Sequence, residues 1–326
     1  MSTIYDVATL AGVSPATVSR VLNGIAVSPE KAESVREAAE RLSFTPNRTA
    51  RSLRKRHSEV IALVIPDIEN PFFTAIARGV EDVAQAAGFS VVLCNTDEDP
   101  EKEARYLRIA VSENMAGVIL ATAGGEADLG PLLKRGRPIV AVDRQPKGYD
   151  IDSVLLDSVA GGRAATRALY DQGFTRVACI TGPSTVETAE RRAQGWREVV
   201  SENGAGQGGY LRYADFRVSG GRTAMAELLD LETPPDAVFV ANNLMSVGVL
   251  QVLAERGPSA PRIAVAVFGE LPYLQQSPAG VTVIPLPARL LGARAASLLL
   301  ERLDGDTQPA RTLVLPNPGT GDDPDA

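Results

Sequence analysis

Several residues that could bind a small polar ligand follow the ends of predicted strands between positions 60 and 270. Where parallel strands alternate with helices, ligands bind beyond the carboxyl ends of the strands. Polar side chains there can supply directed hydrogen bonds and aromatic ones apolar walls. The candidates in this sequence are Phe72, Phe73, Asp143, Arg192, Phe216 and Asn242.

The same residues also have purely structural interpretations, which the sequence leaves open. Phe72 and Phe73 could cap a hydrophobic core. Arg192 could form an ion pair on a helix surface, and Asn242 could cap the helix that follows it. The single tryptophan, Trp196, shares a helical apolar stripe with neighbouring valines, so we expect it in the core.

The sequence gives little support for catalysis. Its one histidine, His57, lies in a basic segment and not at a strand end. The sequence lacks the Gly-x-Ser-x-Gly, Walker A, His-Glu-x-x-His and Cys-x-x-Cys motifs. Cys94 and Cys179 lie in separate apolar runs, which favours buried free thiols over a disulfide. We therefore expect no enzyme, no cofactor and no metal site.

The first 24 residues predict two short helices of the kind that lie on DNA. Thr3 begins the first helix, with Asp6 at a spacing like that of a capping box, and Gly12 ends it. Ser14 and Pro15 begin the second helix as N-cap and first helical residue. Two helices of about two turns joined by a glycine-containing turn form a helix-turn-helix. Neither is stable alone, so both must pack on the third helix that follows.

Charge separates this end of the chain from the rest. Residues 1–60 carry nine Lys and Arg against six Asp and Glu, a net +3, and the remainder carries 24 against 34, a net −10. A basic head on an acidic body suits contact between the head and phosphate. The run 48–57 holds five basic residues around Ala50 and Leu53. This run predicts either a solvated linker or a short helix that inserts an apolar side chain into the minor groove of DNA.

From Val60 onward, strands alternate with helices, and the pattern then repeats, which predicts two α/β lobes. The sequence contains no run of about 18 apolar residues and no secretion signal, so we expect a cytoplasmic protein without a membrane span. The predicted domains are a DNA-binding head at 1–46, a linker at 47–58, a two-lobed domain at 59–316 and a disordered tail at 317–326. We place about 59–157 and 287–305 in the first lobe, and about 158–286 and 311–316 in the second.

Three motifs resemble those of the LacI (lac-repressor) family of bacterial transcription regulators. They read Ile4-Tyr-Asp-Val-Ala-x-x-Ala-Gly-Val-Ser-x-x-Thr-Val-Ser-Arg-Val-Leu-Asn23, Pro46-Asn47-x-x-Ala50-x-x-Leu53 and Val64-Ile-Pro-Asp-Ile-x-Asn-Pro-Phe-Phe73. The resemblance covers nearly the whole chain. It implies an all-α helix-turn-helix head, a hinge helix, and a two-lobed α/β core of the type I periplasmic-binding-protein kind.

The resemblance also implies roles on DNA. Pro15, Ala16 and Arg20 match positions that face bases, and an arginine can contact guanine with two hydrogen bonds. Leu53 matches the side chain that the family inserts into the minor groove. Positions that usually meet phosphate or sugar are matched by Thr3, Tyr5, Ser14, Thr17, Asn23 and Asn47. Two heads on a two-fold axis imply a near-palindromic operator.

In the effector domain, the six strand-end candidates match pocket positions of the family, with one departure. The family usually has Gly-Phe-Asp-Asp where this chain has Val267-Phe-Gly-Glu270, so Gly269 replaces an aspartate that often holds the ligand. Asn243 also replaces a usual aspartate. A different or larger ligand than the standard sugar is therefore possible, with Glu270 as a substitute contact.

These patterns predict a repressor whose operator affinity is switched by a sugar or sugar-like effector bound between the lobes. We expect a homodimer, because the sequence shows no heptad tail for tetramers. The alternative is a ligand-binding receptor or an enzyme on the same fold without a functional DNA head. Selective, salt-sensitive DNA binding distinguishes the two hypotheses.

Overall fold

The structure is a computed structural model that describes residues 2–22, 25–44, 58–124, 127–204, 206, 209–257, 262–271 and 280–317. The chain divides into two compact units, Met1–Ser58 and Glu59–Ala326.

The first unit contains three described helices around a small apolar core. They are α1 (Ile4–Ala11), α2 (Pro15–Leu22) and α3 (Pro29–Arg41). The predicted capping box is confirmed, because Thr3 Oγ1 accepts from the Asp6 backbone N–H at 3.3 Å and Asp6 Oδ2 accepts from the Thr3 N–H at 2.7 Å. Gly12 ends α1 in the left-handed conformation at φ 65°. The buried core consists of Val7, Ala8, Val18, Val35 and Ala38.

The second unit contains two parallel sheets with helices between their strands, as the alternating pattern predicts. The first sheet has the order β11-β5-β4-β3-β1-β2 and the second β10-β9-β8-β6-β7. The strands are β1 (Val60–Ile65), β2 (Ser90–Asn95), β3 (Gly117–Leu120), β4 (Ile139–Val142), β5 (Asp152–Leu156), β6 (Val177–Thr181), β7 (Leu211–Tyr213), β8 (Ala237–Val240), β9 (Ala264–Phe268), β10 (Val281–Ile284) and β11 (Thr312–Leu315). The central strands are buried on both faces, which explains their continuous apolar runs.

The helices of this unit pack against the two sheets. They are α4 (Pro71–Ala86), α5 (Pro100–Ser112), α6 (Gly130–Lys134), α7 (Ser158–Tyr170), α8 (Glu187–Glu202), α9 (Val218–Leu229), α10 (Asn243–Glu255) and α11 (Ala288–Leu303). Trp196 is fully buried in the core of the second sheet and donates to the Val177 carbonyl at 3.0 Å, so its predicted core position is confirmed. Cys94 and Cys179 are buried free thiols.

The end of the chain differs from the prediction. The segment 311–316 was expected in the second lobe, but β11 pairs with β5 in the first sheet. Asp152 on β5 explains this, because its carboxylate accepts from Arg302 Nε at 2.7 Å and from the Arg311 backbone N–H at 2.8 Å. These bonds hold the turn after α11 against the first sheet, so the next strand joins its edge.

Two smaller features were also not predicted. Strand β10 pairs with β9 at the edge of the second sheet, although the sequence pattern predicted no strand there. Asn317, assigned to the tail, is buried and donates to the Asp157 carbonyl at 2.6 Å. The rest of the predicted tail lies outside the described residues.

Candidate functional site

A cavity lies between the two lobes of the second unit, beyond the carboxyl ends of strands from both sheets. Its volume is about 30 Å³, room for only two or three water molecules. A sugar ring therefore enters only if side chains move or the lobes separate. The lining consists of Asp67, Asn70, Phe72, Phe73, Glu98, Asp143, Arg144, Thr188, Arg192, Asp215, Phe216, Arg217, Asn242, Asn243, Phe268, Gly269 and Leu286.

Asp143 supplies a buried carboxylate to the cavity from a strained turn directly after β4. Its φ is 63°, and the Arg144 N–H donates to the Val142 carbonyl at 2.7 Å, which closes a three-residue turn. The Asp143 N–H donates to the Val154 carbonyl at 3.0 Å. Such strain persists only where the surroundings hold it, and it is concentrated at functional sites. Burial raises the pKa of the Asp143 carboxyl, although two nearby arginines oppose this.

Arg144 extends between aromatic rings of both lobes. Its guanidinium lies 5.8 Å from the ring centroid of Phe73 in the first lobe and 5.5 Å from that of Phe216 in the second. Glu98 fixes it with two hydrogen bonds, of 2.7 Å and 2.9 Å, in the bidentate geometry that favours arginine. Burial lowers the pKa of Arg144, but the charge and hydrogen bonds of Glu98 outweigh this and raise it.

Arg192 approaches the cavity from α8, and a close helix contact sets its position. A Cβ on Gly162 of α7 would lie 2.2 Å from the Arg192 backbone oxygen, so only glycine allows the two helices this spacing. The guanidinium donates to the Ala241 carbonyl at 3.0 Å and stacks 4.8 Å from the Phe268 ring centroid. Burial lowers the pKa of Arg192 to about 10, so it remains charged at neutral pH.

Phe216 forms a wall of the cavity in a backbone conformation that is unfavourable for a bulky residue, with φ 63°. Asn242 holds it there, because its Nδ2 donates to the Phe216 carbonyl at 2.8 Å. The Asn242 Oδ1 accepts from the Met245 N–H at 2.8 Å and caps α10. Its structural interpretation is therefore confirmed, even though the residue lines the cavity. Gly182 leaves space for the Phe216 ring, whose Cζ would lie 2.0 Å from a Cβ at that position.

Four buried polar atoms of the lining have no hydrogen-bond partner within the described part of the chain. They are Asp143 Oδ1, Arg144 Nε, Arg192 Nε and Thr188 Oγ1. Buried polar groups in folded proteins are usually hydrogen-bonded, so these four atoms are available to pair with a molecule that enters the cavity. The Arg192 Nη2 lies 4.0 Å from Asp143 Oδ1, too far for a hydrogen bond. Two carboxylates, of Glu98 and Asp143, balance the two buried guanidinium groups.

The cavity brings together six of the seven predicted effector residues. Glu270 is the exception, because it is exposed and lines a neighbouring groove. The surface ion pair considered for Arg192 is wrong, since its side chain is only 7% exposed and faces the cavity. The sequence-based list omitted Glu98, Arg144, Thr188 and Asn243. Arg144 could have been found, since it lies two residues after the end of β4 and next to Asp143.

In the first unit, the candidate DNA-contacting residues that the structure describes lie on or next to α1 and α2. Ala16 and Arg20 are exposed on α2, and Pro15 is half-buried at its first position. Tyr5 is 68% exposed. Ser14 accepts from the Thr17 N–H at 3.2 Å, which caps α2.

Thr3 and Ser14 are exposed, and Thr17 is half-buried. The remaining DNA candidates, Asn23, Asn47 and Leu53, lie outside the described residues.

Two family models match the chain, one for each unit. Residues 58–318 match periplasmic binding proteins and the sugar binding domain of the LacI family, and residues 3–47 match bacterial regulatory proteins of the lacI family. The chain belongs to the LacI family. The resemblance seen in the three sequence motifs is thereby confirmed.

Curated relatives of the chain are named transcription regulators. The ribose operon repressor of Halalkalibacterium halodurans is 37% identical over 306 residues, which cover 93% of this chain and 91% of that protein. The ribose operon repressor of Escherichia coli is 35% identical over 320 residues, which cover 97% of both.

Solved structures of the same family include two sugar complexes. The transcriptional regulator CelR bound to cellobiose is 32% identical and matches 97% of both chains with a TM-score of 0.71. A LacI-family regulator from Enterococcus faecium with bound ribose is 28% identical, covers 79% of this chain and 95% of that one, and has a TM-score of 0.71. The lac repressor dimer on its operator is 24% identical with a TM-score of 0.82 and supports the fold alone.

In the part of the chain that the structure describes, no helix combines the length and apolar character needed to cross a bilayer.

Proposed function

We propose that this chain is a transcription repressor whose affinity for its operator changes when a small sugar binds in the cavity between the two lobes. The observation that carries the proposal is the cluster of four buried, unpartnered polar atoms enclosed by aromatic rings. A sugar suits both features, since its hydroxyls donate and accept hydrogen bonds and its C–H faces pack on aromatic rings.

In this proposal, each polar group of the lining contacts one kind of sugar atom. Asp143 Oδ1 accepts from a sugar hydroxyl, and the Nε groups of Arg144 and Arg192 donate to sugar oxygens. Phe72, Phe73 and Phe216 cover the ring faces. Because Glu98 and Asp143 already lie against the two buried guanidinium groups, a neutral ligand fits better than an anion, whose charge would be uncompensated.

A ligand in the cavity changes the affinity for DNA by changing how the two lobes are arranged. Asp143 and Arg144 belong to the first lobe and Arg192 and Phe216 to the second, so one ligand touches both and favours the closed arrangement. The protein acts as a cytoplasmic homodimer whose paired heads bind a near-palindromic operator. Pro15, Ala16 and Arg20 face the bases; Thr3, Tyr5, Ser14, Thr17, Asn23 and Asn47 contact the backbone; and Leu53 inserts into the minor groove.

Relatives support the choice of ligand class. Two are named ribose operon repressors, and two related structures hold ribose and cellobiose. A sugar is therefore the first ligand to test, with ribose and cellobiose as probes.

Two measurements test the proposal. Thermal shift and calorimetric titration with ribose, cellobiose and other neutral sugars should identify a ligand that raises the melting temperature by mass action. Asp143→Asn should abolish that shift, while the exposed Asp171→Asn serves as a matched control. Selection from a random duplex library should then enrich a near-palindromic sequence. Binding of sugar without any sequence-selective DNA binding would favour the receptor alternative.

A further inference from the structure

Asn95 occupies the last position of β2, between two loops that line the cavity. It pairs with Ile65, the last residue of β1, in the register of the first sheet. The loop after β1 supplies Asp67 and Asn70 to the cavity lining, and the turn after β2 supplies Glu98. Asn95 therefore adjoins the effector site but is outside the lining that the described residues form.

The side chain of Asn95 joins the two loops through both polar atoms of its amide group. Its Oδ1 accepts from the Ile68 N–H at 2.9 Å, and its Nδ2 donates to Asp97 Oδ1 at 2.6 Å. Hydrogen bonds from Lys102 and Asn95 outweigh burial and lower the pKa of Asp97, so Asp97 is a carboxylate that can only accept. Because the Ile68 N–H can only donate, the two partners together fix the orientation of the amide.

The turn after β2 needs such anchors because its backbone is strained. Asp97 and Glu98 have φ values of 56° and 61°, in the left-handed region that residues with a side chain seldom adopt. The Glu98 N–H donates to the Pro66 carbonyl at 3.1 Å, and the Asp97 carboxylate is bound by Asn95 and Lys102. A strained segment persists only where surrounding contacts determine it. The hydrogen bond from Asn95 is one of those contacts.

The strained turn determines where Glu98 lies, and Glu98 in turn holds Arg144. The two side chains form hydrogen bonds of 2.7 Å and 2.9 Å. These bonds keep the guanidinium between the rings of Phe73 and Phe216. A shift of the turn would therefore move Arg144 within the cavity, even with every lining residue unchanged.

We propose that Asn95 is a positioning residue of the effector site, which holds Glu98 and thereby Arg144 in place for ligand binding. This inference rests on the proposed function, because it takes the cavity as the place where a sugar binds. The bond to Asp97 fixes the strained turn, and the bond to Ile68 holds that turn against the loop after β1. Asn95 acts through these residues and does not contact the ligand.

Calorimetric titration of the full-length protein with ribose and cellobiose tests the inference. Asn95→Asp keeps an acceptor for the Ile68 N–H but places a second carboxylate against Asp97. It should weaken sugar binding roughly tenfold, which is within the usual coupling between residues of one hydrogen-bond network. Asn203→Asp is the matched control, since Asn203 donates to the Val199 carbonyl at 2.9 Å at the end of α8. This control should lower the melting temperature and leave sugar affinity unchanged.

Two further variants distinguish positioning from a general loss of stability. Asn95→Asp combined with Asp97→Asn exchanges donor and acceptor, restores the bond, and should recover most of the lost affinity. In a Glu98→Gln background, Asn95→Asp should weaken binding by less than about threefold further, because its effect passes through Glu98. Its effect on the melting temperature should be the same in both backgrounds.

The outcomes separate this inference from the proposed function. An Asn95→Asp protein that binds sugar as tightly as the wild type would overturn the positioning role and leave the sugar-responsive repressor intact. A double variant as weak as Asn95→Asp alone would overturn it too, as would equal losses with Glu98 and with Glu98→Gln. If Asn95→Asp does not fold, Asp97→Ala removes the same bond from an exposed position and should cause a similar loss. If the wild type binds no sugar, both proposals fail.

Discussion

Replacement of Gly182 by alanine should weaken effector binding, because the added methyl group displaces the ring of Phe216. The added Cβ would lie 2.0 Å from Cζ and 2.3 Å from Cε1 and Cε2 of Phe216. Carbon atoms in contact are about 3.5–4.0 Å apart, so the ring must move by roughly 1.5 Å. The cavity measures only about 30 Å³ and must open to admit a sugar ring, so a ring displaced into it opposes that opening.

The energetic cost follows from the same contact. Overpacking of this kind usually costs about 1–3 kcal/mol. In a unit of this size, that lowers the melting temperature by roughly 2–4 °C for each kcal/mol. The backbone adds no cost, because Gly182 does not have a positive φ. We expect a melting point a few degrees lower and effector binding at least tenfold weaker.

Differential scanning fluorimetry and calorimetric titration measure the two effects in the same preparation. Gly206→Ala is the matched control, since its Cβ would have no atom of the described residues within 4 Å and its φ is not positive. A Gly182→Ala protein that melts and binds effector like the wild type would refute the packing argument. A lower melting point with unchanged binding would show that the ring moves away from the cavity.

Three further predictions concern the head, the cavity and the end of the chain. Arg20→Ala should weaken binding to the selected operator by about 1–3 kcal/mol in fluorescence anisotropy; an equal loss on random DNA would indicate a backbone contact. Glu98→Gln should weaken effector binding at least tenfold in calorimetry, because Arg144 loses its charged partner, and unchanged affinity would contradict that role. Burial alone would raise the pKa of Asp152, but hydrogen bonds from Arg302 and Arg311 outweigh burial and lower this pKa below 3.8. The stability it contributes is therefore present above its ordinary pKa and lost as the pH falls through the lower folded value. Urea unfolding between about pH 5 and pH 3 should vary less in Asp152→Asn than in the wild type, and equal slopes would argue against this contribution.

Local sequence rules predicted the first unit well because its helix ends depend on nearby residues. The cap at Thr3 and the stop at Gly12 involve partners within five positions, so their spacing is visible in the chain. The side chain of Ser28 shows the limit of such rules. It occupies the N-cap position before α3, yet it makes no capping hydrogen bond.

Long-range contacts account for what the sequence did not predict. The place of β11 depends on Asp152, which meets Arg302 across 150 residues. Strand β10 is only four residues long and joins the second sheet by pairing with β9. Neither the position of β11 nor the pairing of β10 is indicated by a periodic pattern in the local sequence.

The site could be predicted in outline but not in its internal bonds. The rule that ligands bind beyond strand ends found Asp143 and Phe216, since both follow β-strands closely. Glu98 follows β2 just as closely but was not selected, because its role depends on a salt bridge to Arg144 across 46 residues. The strand-end rule also could not show that the Asn242 side chain donates a hydrogen bond to the Phe216 carbonyl. Through this bond, Asn242 orients a wall of the cavity.

The most direct test of the account is the affinity for the selected operator, measured with and without a saturating effector. Fluorescence anisotropy at fixed salt should show that the effector changes the dissociation constant by about 5- to 150-fold in the wild type. Asp143→Asn should bind the operator normally and show no change with effector. An operator affinity that is the same with and without bound sugar would contradict the coupling between cavity and DNA.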